Sequence, residues 1–154
     1  MKKLTEQEIK DFIAEWTWGT LVAVDGDEPY AVEVAYASDG ENLYCGSMPG
    51  GKMSQCIRKN PNVLFKICES DKKTMNFRAV TIKGRAERLT KKEDILAVLR
   101  RITKKVGMPE KQLDPIAENM AKIPDKSNCL KIPFTFLSGR STGKPRTEWG
   151  NDMG

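Results

Sequence analysis

The chain has 154 residues, 39% of them hydrophobic and 31% charged, with a formal charge of +5 and no histidine. That length suits one domain with its own core and no metal or disulfide staple, and no apolar run approaches the roughly 20 residues of a membrane span. The lack of histidine excludes Ser-His-Asp and Cys-His catalysis and most catalytic zinc sites.

The N-terminus, MKKLTEQEIK, lacks the apolar core of a signal peptide, which makes the cytoplasm the expected location. Cys45, Cys56, Cys68 and Cys129 form no CxxC pair, so free thiols and no metal site are expected. The positive charge favours anionic ligands but is too diffuse to indicate nucleic acid.

Thr5 and Glu8 fit a capping box, and Ile9, Phe12, Ile13 and Trp16 then share one helical face. From Gly19 the period changes. GTLVAV, YAVEVAY and NLYCGS, joined by DGDEP and SDG turns, predict a β-meander. Within its second strand Tyr30, Val32, Val34 and Tyr36 lie on one face and Ala31, Glu33 and Ala35 on the other, a shallow face able to admit something flat.

Residues 52–59 predict two helical turns with Met53, Cys56 and Ile57 inward, ended by Asn60-Pro61. A strand over 63–67, a polar loop over 69–76 and a long strand over 77–89 follow, with a bulge or bend expected at Gly84. Thr90 and Glu93 predict a second capping box, opening a helix that Gly107 stops. Residues 110–122 are weakly helical, with Pro115 best placed at a helix start. A last strand over 129–137 contains Pro133, which suits an edge or a bulge, and the tail from 138 has little to bury except Trp149.

The stretch with most chemical content is GSMPGGK, residues 46–52, where glycine amides precede a lysine at a helix start. Such a terminus attracts anions. The spacing fits part of a Walker A motif, but Met53 stands where Ser or Thr would hold magnesium, and a meander precedes the loop instead of a parallel strand. A monophosphate site and a plain tight turn with a solvated Lys52 both remain open on this pattern. Arg78, Lys83, Arg85 and Arg88 add charge along the long strand, as further anion contacts or as a solvated face. Cys45 ends a strand beside the loop, where only Lys52 could favour a thiolate.

Trp18-Gly19-Thr20-Leu21, PYAVEVAY, LYCGS, GGK, KNPNVLFKI, AVTIKGRAERL and the late STGKP, in this order, resemble the pyridoxamine-phosphate-oxidase-like, FMN-binding split-barrel proteins, and among them the 5-nitroimidazole-reductase (Nim-type) branch. The resemblance implies a mainly β fold, a six-stranded antiparallel split barrel with flanking helices, that forms a homodimer with FMN at the subunit interface. It implies that Val32, Glu33, Val34 and Ala35 line the isoalloxazine edge and that Gly46, Ser47, Met48, Gly50, Gly51 and Lys52 hold the phosphate. Val80 and Thr81 would lie near the flavin, and the tail from Lys144 to Trp149 would reach the partner's site. Two positions depart from the branch: Cys45 stands where histidine is common, and Glu33 where proline is.

The leading expectation is a single-domain FMN oxidoreductase that passes electrons from a donor such as NAD(P)H to a small acceptor, with the flavin carrying the chemistry. A flavin store or sensor without turnover is the alternative. A haem variant of it would need cysteine, methionine or tyrosine as axial ligand. A small basic barrel for single-stranded nucleic acid fits less well, because the aromatic residues fall at core-like spacing.

Overall fold

A computed structural model describes residues 1–46, 50–107, 109–123 and 127–149. The strands are β1 (Lys2–Lys3), β2 (Trp18–Asp25), β3 (Glu28–Ser38), β4 (Asn42–Gly46), β5 (Asn62–Ser70), β6 (Phe77–Arg85), β7 (Glu87–Leu89), β8 (Cys129–Pro133) and β9 (Phe136–Ser141). The helices are α1 (Glu6–Glu15), α2 (Lys52–Lys59), α3 (Lys92–Val106) and α4 (Leu113–Lys122). The strands form one antiparallel sheet in the order β1-β9-β6-β5-β2-β3-β4-β8-β7, curled as a split barrel.

Nine strands are described where six were expected, and the difference has a physical cause. The long strand over 77–89 breaks at Ala86, so that β6 pairs with β5 and β9 while β7 pairs with β8. The stretch after residue 129 breaks at Phe134 and Thr135, so that β8 pairs with β4 and β9 with β6. Two strands thereby turn a corner between two parts of the sheet. The ninth strand is the two-residue β1, laid against β9.

Gly84 is not a bulge. Its register with Val63 continues unbroken on both sides, from Leu64 opposite Lys83 to Asn62 opposite Arg85. Glycine is required for another reason: a Cβ here would stand 2.3 Å from the Pro133 carbonyl oxygen and 2.7 Å from Ile132 Cγ2. The end of β8 crosses β6 at this point, and the Thr135 amide then donates to the Lys83 carbonyl at 3.0 Å. Pro133 ends β8 opposite Asn42 of β4 and beyond the reach of β7, which pairs only with residues 129–131, so the proline stands where one side of an otherwise inner strand is open, as at an edge.

Alternation along the strands fills the barrel with Leu21, Tyr36, Leu43, Phe65, Ile67, Ile82, Leu130 and Ile132. α1 packs against this core through Ile9, Phe12 and Ile13 and begins with the expected capping box: the Glu8 amide donates to Thr5 Oγ1 at 3.2 Å and the Thr5 amide to Glu8 Oε2 at 2.8 Å. The second capping box does not form. α3 starts one residue later than its pattern implied, at an N-cap Lys91 whose side chain makes no capping bond. No described helix is long and apolar enough to cross a membrane.

The tail is ordered further than its composition suggested. Residues 136–141 form β9, and Arg146 then pairs with the buried Glu69, which also accepts from Arg78 Nε at 2.6 Å. Trp149 is buried against its own chain, its indole N–H donating to the Lys144 carbonyl at 3.3 Å. Residues 150–154 lie outside the described residues.

Where β8 crosses β6, a methyl group would have to displace the Pro133 backbone and the buried Ile132 side chain. Gly84→Ala should therefore lower stability by about 2 kcal/mol or more, read from the urea midpoint. An unchanged midpoint would mean that the crossing is not tight in solution.

Candidate functional site

The split in the barrel leaves one strand edge open. β3 pairs with β2 along residues 28–35, but β4 covers its other edge only at Tyr36, Ala37 and Ser38. The chain leaves β4 after Gly46 and re-enters as α2 at Lys52. Backbone groups of a strand point alternately to its two sides, and the Tyr36 amide donates toward β2, to the Thr17 carbonyl at 3.1 Å. The amides and carbonyls of Glu33 and Ala35 therefore face the open edge.

That edge lies in a groove of about 990 Å³. One wall carries Tyr30, Val32, Glu33, Val34 and Ala35 of β3, with Trp18 of β2 beside them. Gly46, Gly51, Lys52 and Met53 close one side, where the loop enters α2. Leu99 and Ile102 of α3 and Ile116, Asn119, Met120 and Ile123 on and just after α4 form the opposite wall.

Seven of the residues expected to hold a cofactor thus meet in one place: Val32, Glu33, Val34, Ala35, Gly46, Gly51 and Lys52. Gly50 sits just outside the groove with φ of 71°, the left-handed conformation that favours glycine, and turns the chain into α2. Ser47 and Met48 lie outside the described residues. Val80 points into the barrel core and Thr81 to the outer sheet surface, where Lys66 Nζ donates to its Oγ1 at 3.5 Å. Neither lines the groove, nor do Lys144 and Trp149.

Electrostatics favour an anion at the α2 end. Gly51 is the N-cap and no side chain caps the helix, so its first amides have no intrahelical partner. Lys52 is exposed, 3.6 Å from Asp25 and 5.0 Å from the centre of the Tyr30 ring. The Asp25 contact is a solvated ion pair of small net worth, and an anionic ligand can displace it.

Arg88, one of four cations considered for the same anion, has a different place. Its guanidinium donates to Ser54 Oγ at 3.0 Å, the Ser54 carbonyl at 2.9 Å and the Ser127 carbonyl at 2.7 Å. It positions the first turn of α2 from below. Arg78 is engaged by Glu69 and Glu15, and Lys83 lies over the Phe136 ring. Sequence reasoning missed Arg88 as a positioning group because its acceptors are distant in the chain. It also missed the α3–α4 wall, whose apolar residues look like ordinary core positions.

Cys45 is fully buried, and burial pushes its thiol well above the ordinary range. Burial likewise pushes Cys129 up to about 12. Asn128, between Ser127 and the β4–β8 pair, is fully buried with neither amide atom hydrogen-bonded among the described residues. Lys105, near the end of α3, donates to the Ile13 carbonyl at 3.2 Å and lies 4.1 Å from the centre of the Tyr36 ring. Burial brings Lys105 down to about 8.

Comparison with known proteins adds a family. A sequence model described as pyridoxamine 5'-phosphate oxidase matches residues 5–141. An uncharacterized protein of Rhizobium meliloti (strain 1021) is 32% identical over 89 residues, 58% of each chain, so the chain spans less than two thirds of that relative's length. Among solved structures, a FAD-binding protein of Mesorhizobium loti superposes with a TM-score of 0.69 at 23% identity, covering 91% of this chain and 96% of that one. A candidate 5-nitroimidazole antibiotic resistance protein of Bacteroides thetaiotaomicron VPI-5482 superposes with a TM-score of 0.73 at 19% identity, covering 90% and 86%. At these identities the two structures share the fold.

Two outcomes follow from the burial pattern. Of the four thiols only Cys68 is exposed, so Ellman's reagent should modify one thiol quickly in the native protein and none in Cys68→Ser; fast reaction of a second thiol would contradict the placement of Cys45. For Lys105, the unfolded chain still holds its proton between about pH 8 and the ordinary value of 10.5, whereas the folded chain has released it. Its contribution to stability rises with pH through that window. The urea midpoint of the wild type relative to Lys105→Met should increase between pH 7 and pH 9.5, and a constant or falling difference would contradict the depressed value.

Proposed function

Because the chain belongs to the pyridoxamine 5'-phosphate oxidase family, we propose that it is an FMN-binding oxidoreductase, with the flavin held in the groove between β3, α2 and the α3–α4 wall. The observation that carries this reading is the open edge of β3 ending at Lys52 within one groove. A flavin has the complementary parts: a flat ring whose rim alternates hydrogen-bond donors and acceptors, and a phosphate on a flexible chain. The names of the FAD-binding relatives support a flavin. One lysine and one uncapped helix start suit the single phosphate of FMN.

When bound, the flavin would supply the hydride or electron transfer. The chain's own work is then binding and orientation. The backbone of Glu33 and Ala35 would fix the ring's rim, Lys52 and the first α2 amides would balance the phosphate, and the β3 wall would keep water from one side of the ring. NAD(P)H is the electron donor we infer, with a small molecule as acceptor, in a cytoplasmic setting where free thiols stay reduced.

A homodimer completes the reading. Phe136 is exposed on the sheet, and a second copy laid across its outer face would cover it. Thr81 and the exposed residues Lys144 to Glu148 would act on the flavin only across such an interface, whereas Val80 and Trp149 are buried within their own chain. A second reading, flavin binding without turnover, is favoured by how few titratable groups line the groove: among the described residues, Tyr30, Glu33 and Lys52.

Purified protein should be yellow with a flavin absorbance, and Lys52→Ala should weaken FMN binding about tenfold or more, the loss of one charge-assisted contact. Fluorescence titration measures this, and an unchanged affinity would remove Lys52 from the phosphate site. Anaerobic mixing with NADH or NADPH separates the two readings, since bleaching requires reduction.

A further inference from the structure

The groove has two unlike walls. Among the described residues its charged groups, Lys52 and Glu33, both stand on the side of β3 and α2, whereas Leu99, Ile102, Ile116, Asn119, Met120 and Ile123 of the opposite wall carry no charge. In a chain with 31% charged residues that segregation is local. α3 and α4 place their lysines, arginines, aspartates and glutamates elsewhere and turn only apolar groups and one amide to the groove.

Leu99, Ile102 and Met120 are partly buried and pack against the cluster of Ile95, Val98, Ala117 and Cys129 that joins α3, α4 and β8, but neither Ile116 nor Ile123 belongs to that core. Ile116 is 44% exposed, Ile123 51% and, across the groove, Trp18 56%. The large apolar side chains exposed among the described residues are Met1, Trp18, Met75, Ile116, Ile123 and Phe136, so half of them meet here. Scattered apolar residues need no explanation, but a concentration inside a concave site marks a ligand.

Size points the same way. At about 990 Å³ the groove lies at the upper limit of ligand sites, roughly 300–1,000 Å³, and leaves room beyond one mononucleotide.

We propose that the α3–α4 wall is a second binding surface of the groove and takes a neutral, planar, weakly polar molecule. The inference rests on the flavin reading for its meaning, since this molecule would be the reactant presented to the cofactor, but its residues and its test are separate. Ile116, Met120 and Ile123 supply the apolar contact and Trp18 a facing aromatic surface. Asn119 is the one polar side chain of this wall among the described residues and would orient a carbonyl or similar group through a hydrogen bond. A charged ligand is disfavoured because the described residues of the wall offer no partner for a charge it desolvates.

The test uses 2-acetylnaphthalene and its near-isostere 2-naphthoate, which differ in charge. Equilibrium dialysis with the FMN-loaded protein should show 2-acetylnaphthalene binding about tenfold tighter than 2-naphthoate, and Ile116→Lys or Ile123→Lys should each weaken it about tenfold. Both isoleucines are half-exposed, so the variants keep the core, and FMN content by absorbance checks that the rest of the groove is intact. Equal binding by wild type and both variants, or a preference for 2-naphthoate, overturns the proposal. So does a change of oligomeric state in Ile116→Lys, which would make the wall a contact with a second copy. A protein that retains no FMN but still binds 2-acetylnaphthalene, with loss in Ile116→Lys, would sink the flavin reading and leave the apolar wall standing.

Discussion

The site depends on one partly buried guanidinium. Arg88 joins β7 to the first turn of α2 and to the strand entry at Ser127, and no other group ties these three segments together by side-chain hydrogen bonds among the described residues. A charge withdrawn from water is costly unless several acceptors receive it. Three oxygens do so here, and Ser127 adds a bond of its own to the Leu89 carbonyl at 2.9 Å. Because Ser54 is engaged through both its hydroxyl and its carbonyl, α2 is fixed in rotation as well as position. Lys52 and Gly51, two and three residues earlier, are thereby held at the groove.

The groove itself is a by-product of how the barrel closes. A fully paired meander would cover β3 along its whole length and leave no edge. Here β4 pairs with only three residues of β3 before the chain departs into α2, and the corners at Ala86 and at Phe134–Thr135 carry two other strands between parts of the sheet. The barrel therefore closes at the Gly84 crossing and opens at β3. α3 shelters the opening: Lys105 and the Tyr36 hydroxyl both donate to the Ile13 carbonyl, linking α1, β3 and α3 at a single oxygen.

How much of this was legible follows the range of the signals. Periodicity and turn chemistry are local, so the first helix, the meander, α2 and the Gly107 stop were readable from their own residues. The seven expected residues that meet in the groove lie on β3, at the end of β4 and at the start of α2, close in sequence as well as in space. The misread positions depend on distant partners. Gly84 signals a bulge when read along its own strand and a close crossing once Pro133 is above it. Arg88 reads as a surface charge until Ser54 and Ser127 are brought to it. Thr90 and Glu93 have the spacing of a capping box, but that pattern does not fix where the chain enters α3, and Lys91 takes the cap position. The apolar groups of α3 and α4 have helical spacing whether they face a core or a ligand, and only their exposure separates the two.

The inert thiol at Cys45 fits the same division of labour. In the related branch a histidine is common at that position; here the side chain is buried in the core and its proton is held firmly by desolvation. With no histidine in the chain, the groove-lining side chains able to exchange a proton are, among the described residues, Tyr30, Glu33 and Lys52. Lys52 is taken up by an anion if the phosphate sits there, and Glu33 already accepts a hydrogen bond from Thr20 Oγ1. Among the described residues of the α3–α4 wall the one polar side chain is Asn119, which donates a hydrogen bond but no proton. Under the proposed flavin reading, a reactant on that wall would therefore draw any proton from across the groove, where Tyr30 stands, or from solvent.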